Sequence, residues 1–171
     1  MENYNDIAYI LNTFLLLFSG CLVMLMAAGF AMLESGLVRS KNTTAILTKN
    51  IGLYSLACVC FYIIGYQLMY GSISDGDHSG MADFFFQVVF VATAASIVSG
   101  TIAERAKFWP FMFVVLVLTA FIYPLQGAWT WGGGWLSEMG FSDFAGSTIV
   151  HSVGGWCALA GAILVGSRTG R

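Results

Sequence analysis

Charge is what this sequence has little of. Only 9% of its 171 residues are Asp, Glu, Lys or Arg, against roughly 25% in an ordinary soluble domain. Together with 58% hydrophobic residues arranged in long runs, that scarcity excludes a soluble domain and points to an integral membrane protein. A net charge of −2 lacks the basic excess that a nucleic-acid partner would require. The four cysteines, Cys21, Cys58, Cys60 and Cys157, show neither disulfide nor zinc spacing. Each falls in an apolar run, and Cys58 and Cys60 stand about 200° apart on a helix, so all four read as small packing residues. The opening Met-Glu-Asn-Tyr-Asn-Asp lacks the positive charge of a secretory signal peptide. Alternation of apolar and polar residues is missing as well, which argues against barrel strands.

What is present is a set of continuous apolar runs. The expected fold is all-α, a polytopic membrane helical bundle of five transmembrane helices at about 7–33, 51–70, 84–103, 108–128 and 144–166. The first run exceeds the roughly 20 residues that span a bilayer, so it tilts or protrudes. Basic residues are confined to one side of this layout. Arg39, Lys41 and Lys49 flank the first connection, Arg105 and Lys107 the third, and Arg168 and Arg171 follow the fifth span. The other side carries Glu2, Asp6, Asp75, Asp77, Asp83, Glu138 and Asp143 and no Lys or Arg. The positive-inside rule then places the N-terminus outside and the C-terminus in the cytoplasm.

The fifth span holds the most suggestive residue. His151 is the only Asp, Glu, Lys, Arg or His inside the five spans as drawn, and an ionisable group at membrane depth is a functional-site hypothesis by default. On a helix continuous from Asp143 it lies roughly 12 Å down the axis, near the bilayer middle. Gly154, Ala158 and Ala162 form a small-residue stripe for close helix contact, which places this helix centrally. In the third span Phe86 and Phe90 share a face, which suits packing or lipid contact as well as a gate. Its Gln87, Thr93, Ser96 and Ser99 fit a helix buried among helices. The outer connection 129–142 carries Trp129, Trp131 and Trp135 around Gly132-Gly133-Gly134. Its tryptophans fit interface anchors, and its glycines fit a tight turn into a vestibule. Asp75, Asp77 and His78 in the other outer connection read as a solvated loop rather than a metal site.

Four stretches together resemble the ammonium transporter (Amt) family. They are Asp143-Phe-Ala-Gly-Ser-Thr-Ile-Val-His151, Ala28-Gly-Phe-Ala-Met-Leu-Glu-Ser-Gly-Leu-Val-Arg-Ser-Lys-Asn42, Phe86-Gln-Val-Val-Phe90 with Gly100-Thr-Ile-Ala-Glu-Arg105, and Trp131-Gly-Gly-Gly. The resemblance covers nearly the whole chain, so residues 1–171 are expected to form one transporter-like membrane domain, similar to the first of two inverted repeats in an eleven-helix fold. It implies transport of ammonium, ammonia and methylammonium for nitrogen uptake through a hydrophobic pore in the cell membrane, with no enzymatic step and no cofactor. By resemblance His151 is the first of twin pore histidines that assist deprotonation. Phe90, with Phe86 beside it, forms an external gate, Trp131 recruits the cation by cation–π attraction, and Asp143 gives structural or electrostatic support. The resemblance also implies a homotrimer in the lipid bilayer and control by a PII-type protein. A second pore histidine and an inner gate phenylalanine are not in this sequence, so a separate chain carrying the second repeat is a further expected partner. A non-transporting ammonium sensor or assembly module, and an inert truncated fragment, are the rival readings.

Overall fold

The computed structural model describes residues 2–168. Among them the regular structure is helical, with no strand. Five helices are long and apolar enough to cross a membrane: Asn5–Leu37, Ser40–Tyr70, Gly80–Thr101, Phe108–Ala128 and Ser147–Val165. A helix satisfies its own backbone polar groups, which hydrocarbon cannot do.

The number of spans is as expected, but several ends are not. The first runs on to Leu37 rather than stopping at 33, and the second begins at Ser40 rather than 51. The difference brings Glu34 and Lys49 inside the helices, so His151 is not the only ionisable residue there. Asp6 and Asp83 also lie within span ends. Glu34 is 2% exposed and Lys49 7%. The Lys49 ammonium stands 3.3 Å from Glu34 Oε2 and donates to the Ser99 carbonyl at 3.1 Å. Ser99 Oγ and Asn50 Nδ2 donate to that same carboxylate oxygen at 2.9 and 3.3 Å. A charge ends a membrane helix only when it has no partner, and here first, second and third spans supply partners to one another.

The third span is the axis of the bundle. It packs against the first, second and fifth, and its buried residues run all round it from Val88 to Ser99, as expected of a helix enclosed by others. Thr93 and Ser96 donate to carbonyls four residues back, which satisfies their hydroxyls without a distant partner. The fifth span is peripheral, contrary to the central place expected for it. Its small-residue stripe does meet the third span: a Cβ on Gly154 would come 3.0 Å from the Ala94 carbonyl, and Ala158 is buried; beside the stripe, a Cβ on Gly161 would come 3.0 Å from Ile102, just past that span's end. Its other side, with Trp156, Leu159, Ile163 and Leu164, is exposed. A single stripe gives one contact face, and one face does not make a helix central.

Three of the five spans contain a wider π-helical turn, at Phe61–Gly65, Leu118–Ile122 and Ser147–Ser152. The first two pack on each other, where Gly65 lies so close to the Thr119 carbonyl that a Cβ would stand 2.9 Å from it. All four cysteine thiols are free, with Cys60 buried and Cys21 exposed.

Candidate vestibule and histidine helix

The 129–142 connection turns its three tryptophans in two directions. Trp129 and Trp135 are half exposed and lie against each other, ring centroids 5.7 Å apart. Trp131 turns inward and meets Phe90 at 6.0 Å with rings 67° apart. Phe90 in turn meets Phe86 edge to face at 5.1 Å. The glycines make this turn possible. Gly133 has φ +75, and a side chain on Gly134 would press 2.6 Å from the Ala128 carbonyl. The loop thus separates an exposed tryptophan pair from one tryptophan packed on the third span.

Phe86, Phe90 and Trp131 line one cavity of about 360 Å³ together with Tyr70, Gln87 and Ala145. Its walls come from the second and third spans, the tryptophan loop and the entry to the fifth helix. Tyr70, Phe90 and Trp131 also pack against a buried cluster that includes Phe61, Tyr66, Tyr123 and Ile149. Gln87 donates to Asp83 Oδ1 at 3.3 Å, and Tyr66 donates to Asp83 Oδ2 at 2.6 Å. Aromatic faces carry negative potential and attract cations, so the cavity offers a small cation three rings in contact in series, with the Asp83 carboxylate one hydrogen bond away through Gln87.

Asp143 is not the first residue of the histidine helix but its cap. Ala145 and Gly146 are left-handed, with φ 51 and 78, and the helix begins only at Ser147. Asp143 Oδ1 accepts from the Thr148 N–H at 2.8 Å and from the Ser147 hydroxyl at 3.1 Å, and the first bond satisfies one of the amides left free at a helix start. His151 therefore lies in the second turn of the fifth span, about 6 Å from its start, rather than 12 Å down a helix starting at Asp143. Its side chain is exposed on the fifth helix. The structure thus brings Phe86, Phe90 and Trp131 into one cavity, and places Asp143 and His151 on the segment that supplies Ala145 to its wall. Tyr70 and Ala145 had no local sequence signal, since each is brought to the cavity only by the fold.

A second polar node lies at the basic end. Glu104, with φ 64, accepts from Asn42 Nδ2 at 2.6 Å and from the Arg39 N–H at 2.9 Å, and it pairs with Arg39 and Arg168 at 3.3 and 3.4 Å. The Asn42 and Arg39 hydrogen bonds hold its carboxyl down from the ordinary 4.5 to about 2. Arg168 also donates to the Leu37 carbonyl, and Arg105 bonds the Thr101 and Gly166 carbonyls. The ends of the first, third and fifth spans are tied here. On the opposite side His78 pairs with Asp77 at 2.6 Å, and Asp75 caps the third helix at the Gly80 N–H.

Residues 13–171 match the model of the Ammonium Transporter Family. A protein of Synechocystis named as an ammonium transporter is 41% identical over 185 residues, covering 97% of this chain and 42% of the relative. Ammonium transporter Amt2 of Archaeoglobus fulgidus is 42% identical over 179 residues, covering 91% of this chain and 38% of the relative. Ammonium transporter 3 of Dictyostelium discoideum is 35% identical over 183 residues, covering 100% of this chain and 41% of the relative. The chain spans about two fifths of the length of these relatives.

Proposed function

Because this chain belongs to the ammonium transporter family, we propose that it supplies the outer vestibule and one pore histidine of a path for ammonium. The family consists of multi-pass membrane proteins that transport rather than enzymes that transform. The observation that carries the proposal is the cavity at Phe86, Phe90 and Trp131, whose rings touch in series. Ammonium enters over Trp131, where cation–π attraction contributes about 0.5–2 kcal/mol depending on desolvation. Phe90 and Phe86 bar water below it. A bare cation is costly in hydrocarbon, so the ion passes its proton to the neutral imidazole of His151 and crosses as ammonia. His151 assists, because a neutral imidazole both accepts and donates a hydrogen bond. Potassium has no proton to lose and is refused.

In this reading the acidic loops face outside and the Arg39, Arg105 and Arg168 end faces the cytoplasm. The exposed His151 and the bare face of the fifth helix support completion of the path by a segment equivalent to the rest of the relatives' length. That segment is supplied in the same polypeptide or by a separate chain. Homotrimer assembly and docking of a PII-type protein at the basic end belong to the same proposal, and native mass spectrometry in detergent tests both. The direct test is methylammonium uptake by cells expressing this chain, alone and with a second chain carrying the complementary five helices. Uptake in the paired case supports the proposal. No uptake in either case, with both chains inserted, overturns it.

A further inference from the structure

The backbone around His151 departs from α geometry, and a side chain from another helix stands at the point of departure. In an α-helix the Val153 N–H donates to the carbonyl of Ile149, four residues back. Here it reaches Thr148, five back, and the His151 N–H likewise reaches Gly146 at 3.0 Å. The Ile149 carbonyl is deprived of its α-helical donor from Val153, at a residue that is fully buried. A carbonyl left unbonded in a membrane interior costs several kcal/mol. Gln126 Nε2, from the fourth span, donates to that carbonyl at 2.9 Å.

The π turn has a directional consequence. An α-helix turns about 100° per residue, so the extra residue in a π turn rotates one side of the helix against the other by about that angle. Ile149 and Val150 are buried on one side of this turn, and Gly154 and Ala158 are packed on the other, while His151 between them is exposed. Closing the turn to α geometry keeps the Gly154 contact with Ala94 only by swinging His151 round. Such turns are frequent at functional sites. Gln126 is itself placed by the π turn at Leu118–Ile122 and by Pro124, which follows it.

We infer that Gln126 is a positioning residue for His151, holding the wide turn open by donating to the Ile149 carbonyl. The inference rests on the reading of His151 as a pore residue for its functional meaning, but its structural content is tested independently. Gln126→Met keeps length and removes the donor. Gln126→Glu keeps shape and, ionised, cannot donate. Ser55→Ala on the second span removes a different hydrogen bond, from Ser55 Oγ to the Ile51 carbonyl, and serves as control.

The experiment is solid-state NMR of the full chain in lipid bilayers, with labelled histidine and isoleucine. The Ile149 carbonyl and His151 ring-nitrogen signals should move in both Gln126 variants and stay in place in Ser55→Ala. Unmoved signals in folded Gln126→Met overturn the inference, as does equal movement in the control. Loss of folding in both Gln126 variants also overturns it, by making Gln126 a support of the whole bundle. In the paired uptake assay, Gln126→Met should lower the maximal methylammonium rate about tenfold and leave half-saturation within twofold, because the vestibule rings are untouched. A rise in half-saturation with an unchanged maximal rate counts against the inference. If the wild-type pair shows no uptake while the NMR signals move, the transport reading fails and the positioning role stands.

Discussion

At the scale of single residues, aromatic rings and one carboxylate shape the candidate path. Trp131 should be the strongest recruiting group, since it is the tryptophan that contacts Phe90 within the cavity. In the paired uptake assay, Trp131→Ala should raise half-saturation for methylammonium about 2- to 30-fold, the equivalent of the 0.5–2 kcal/mol of a cation–π contact. Trp129→Ala should change it little, because Trp129 is half exposed beside Trp135. Asp143→Ala removes the acceptor of the Thr148 and Ser147 bonds and should cost about 0.5–2 kcal/mol in unfolding in mixed micelles. Asp143→Asn keeps an acceptor and should cost less. Phe86, Phe90 and Trp131 were legible in sequence because rings at helical spacing and a glycine turn are local signals. Tyr70 was not, because only the fold brings it to them. Gln126 is a lone amide in an apolar run, and its role is not local because its partner carbonyl belongs to another helix.

At the scale of elements, the five spans were readable from apolar length, but their ends were not. Apolarity stops at the first charge, whereas the helices continue through Glu34 and Lys49 because the two charges meet. Glu34→Met leaves the Lys49 ammonium buried without a counter-charge and should destabilise the bundle by about 3–5 kcal/mol. The double change with Lys49→Met should cost less than Glu34→Met alone, and thermal unfolding in detergent measures both. The tie at Glu104 gives a pH signature. Its folded carboxyl titrates near 2 instead of 4.5, so the native state favours the ionised form. Its contribution is complete above about pH 4.5 and is lost as pH falls towards 2. Unfolding followed between pH 6 and 2 should show that loss in the wild type and a shallower slope in Glu104→Gln. The π turns had no sequence signature, since the same residues suit α geometry. Their surroundings are tertiary: two of them pack on each other where Gly65 meets Thr119, and the third meets Gln126 of another span.

At the scale of the whole molecule, the third span is buried on nearly every side while the first and fifth keep wide apolar faces bare. The sequence suggested a central histidine helix because it displayed a small-residue stripe. The stripe is used against the third span, and His151 points elsewhere. That leaves an ionisable side chain on an otherwise apolar outer face, where a lipid neighbour is unfavourable and a completing segment is not. The most direct measurement is methylammonium flux through the paired assembly with His151→Ala compared with Cys157→Ala, a half-buried neighbour on the same helix. His151→Ala should abolish flux or alter selectivity against potassium, while Cys157→Ala should leave both near wild type. Equal effects from the two changes, in proteins that insert equally well, would contradict the pore role of His151.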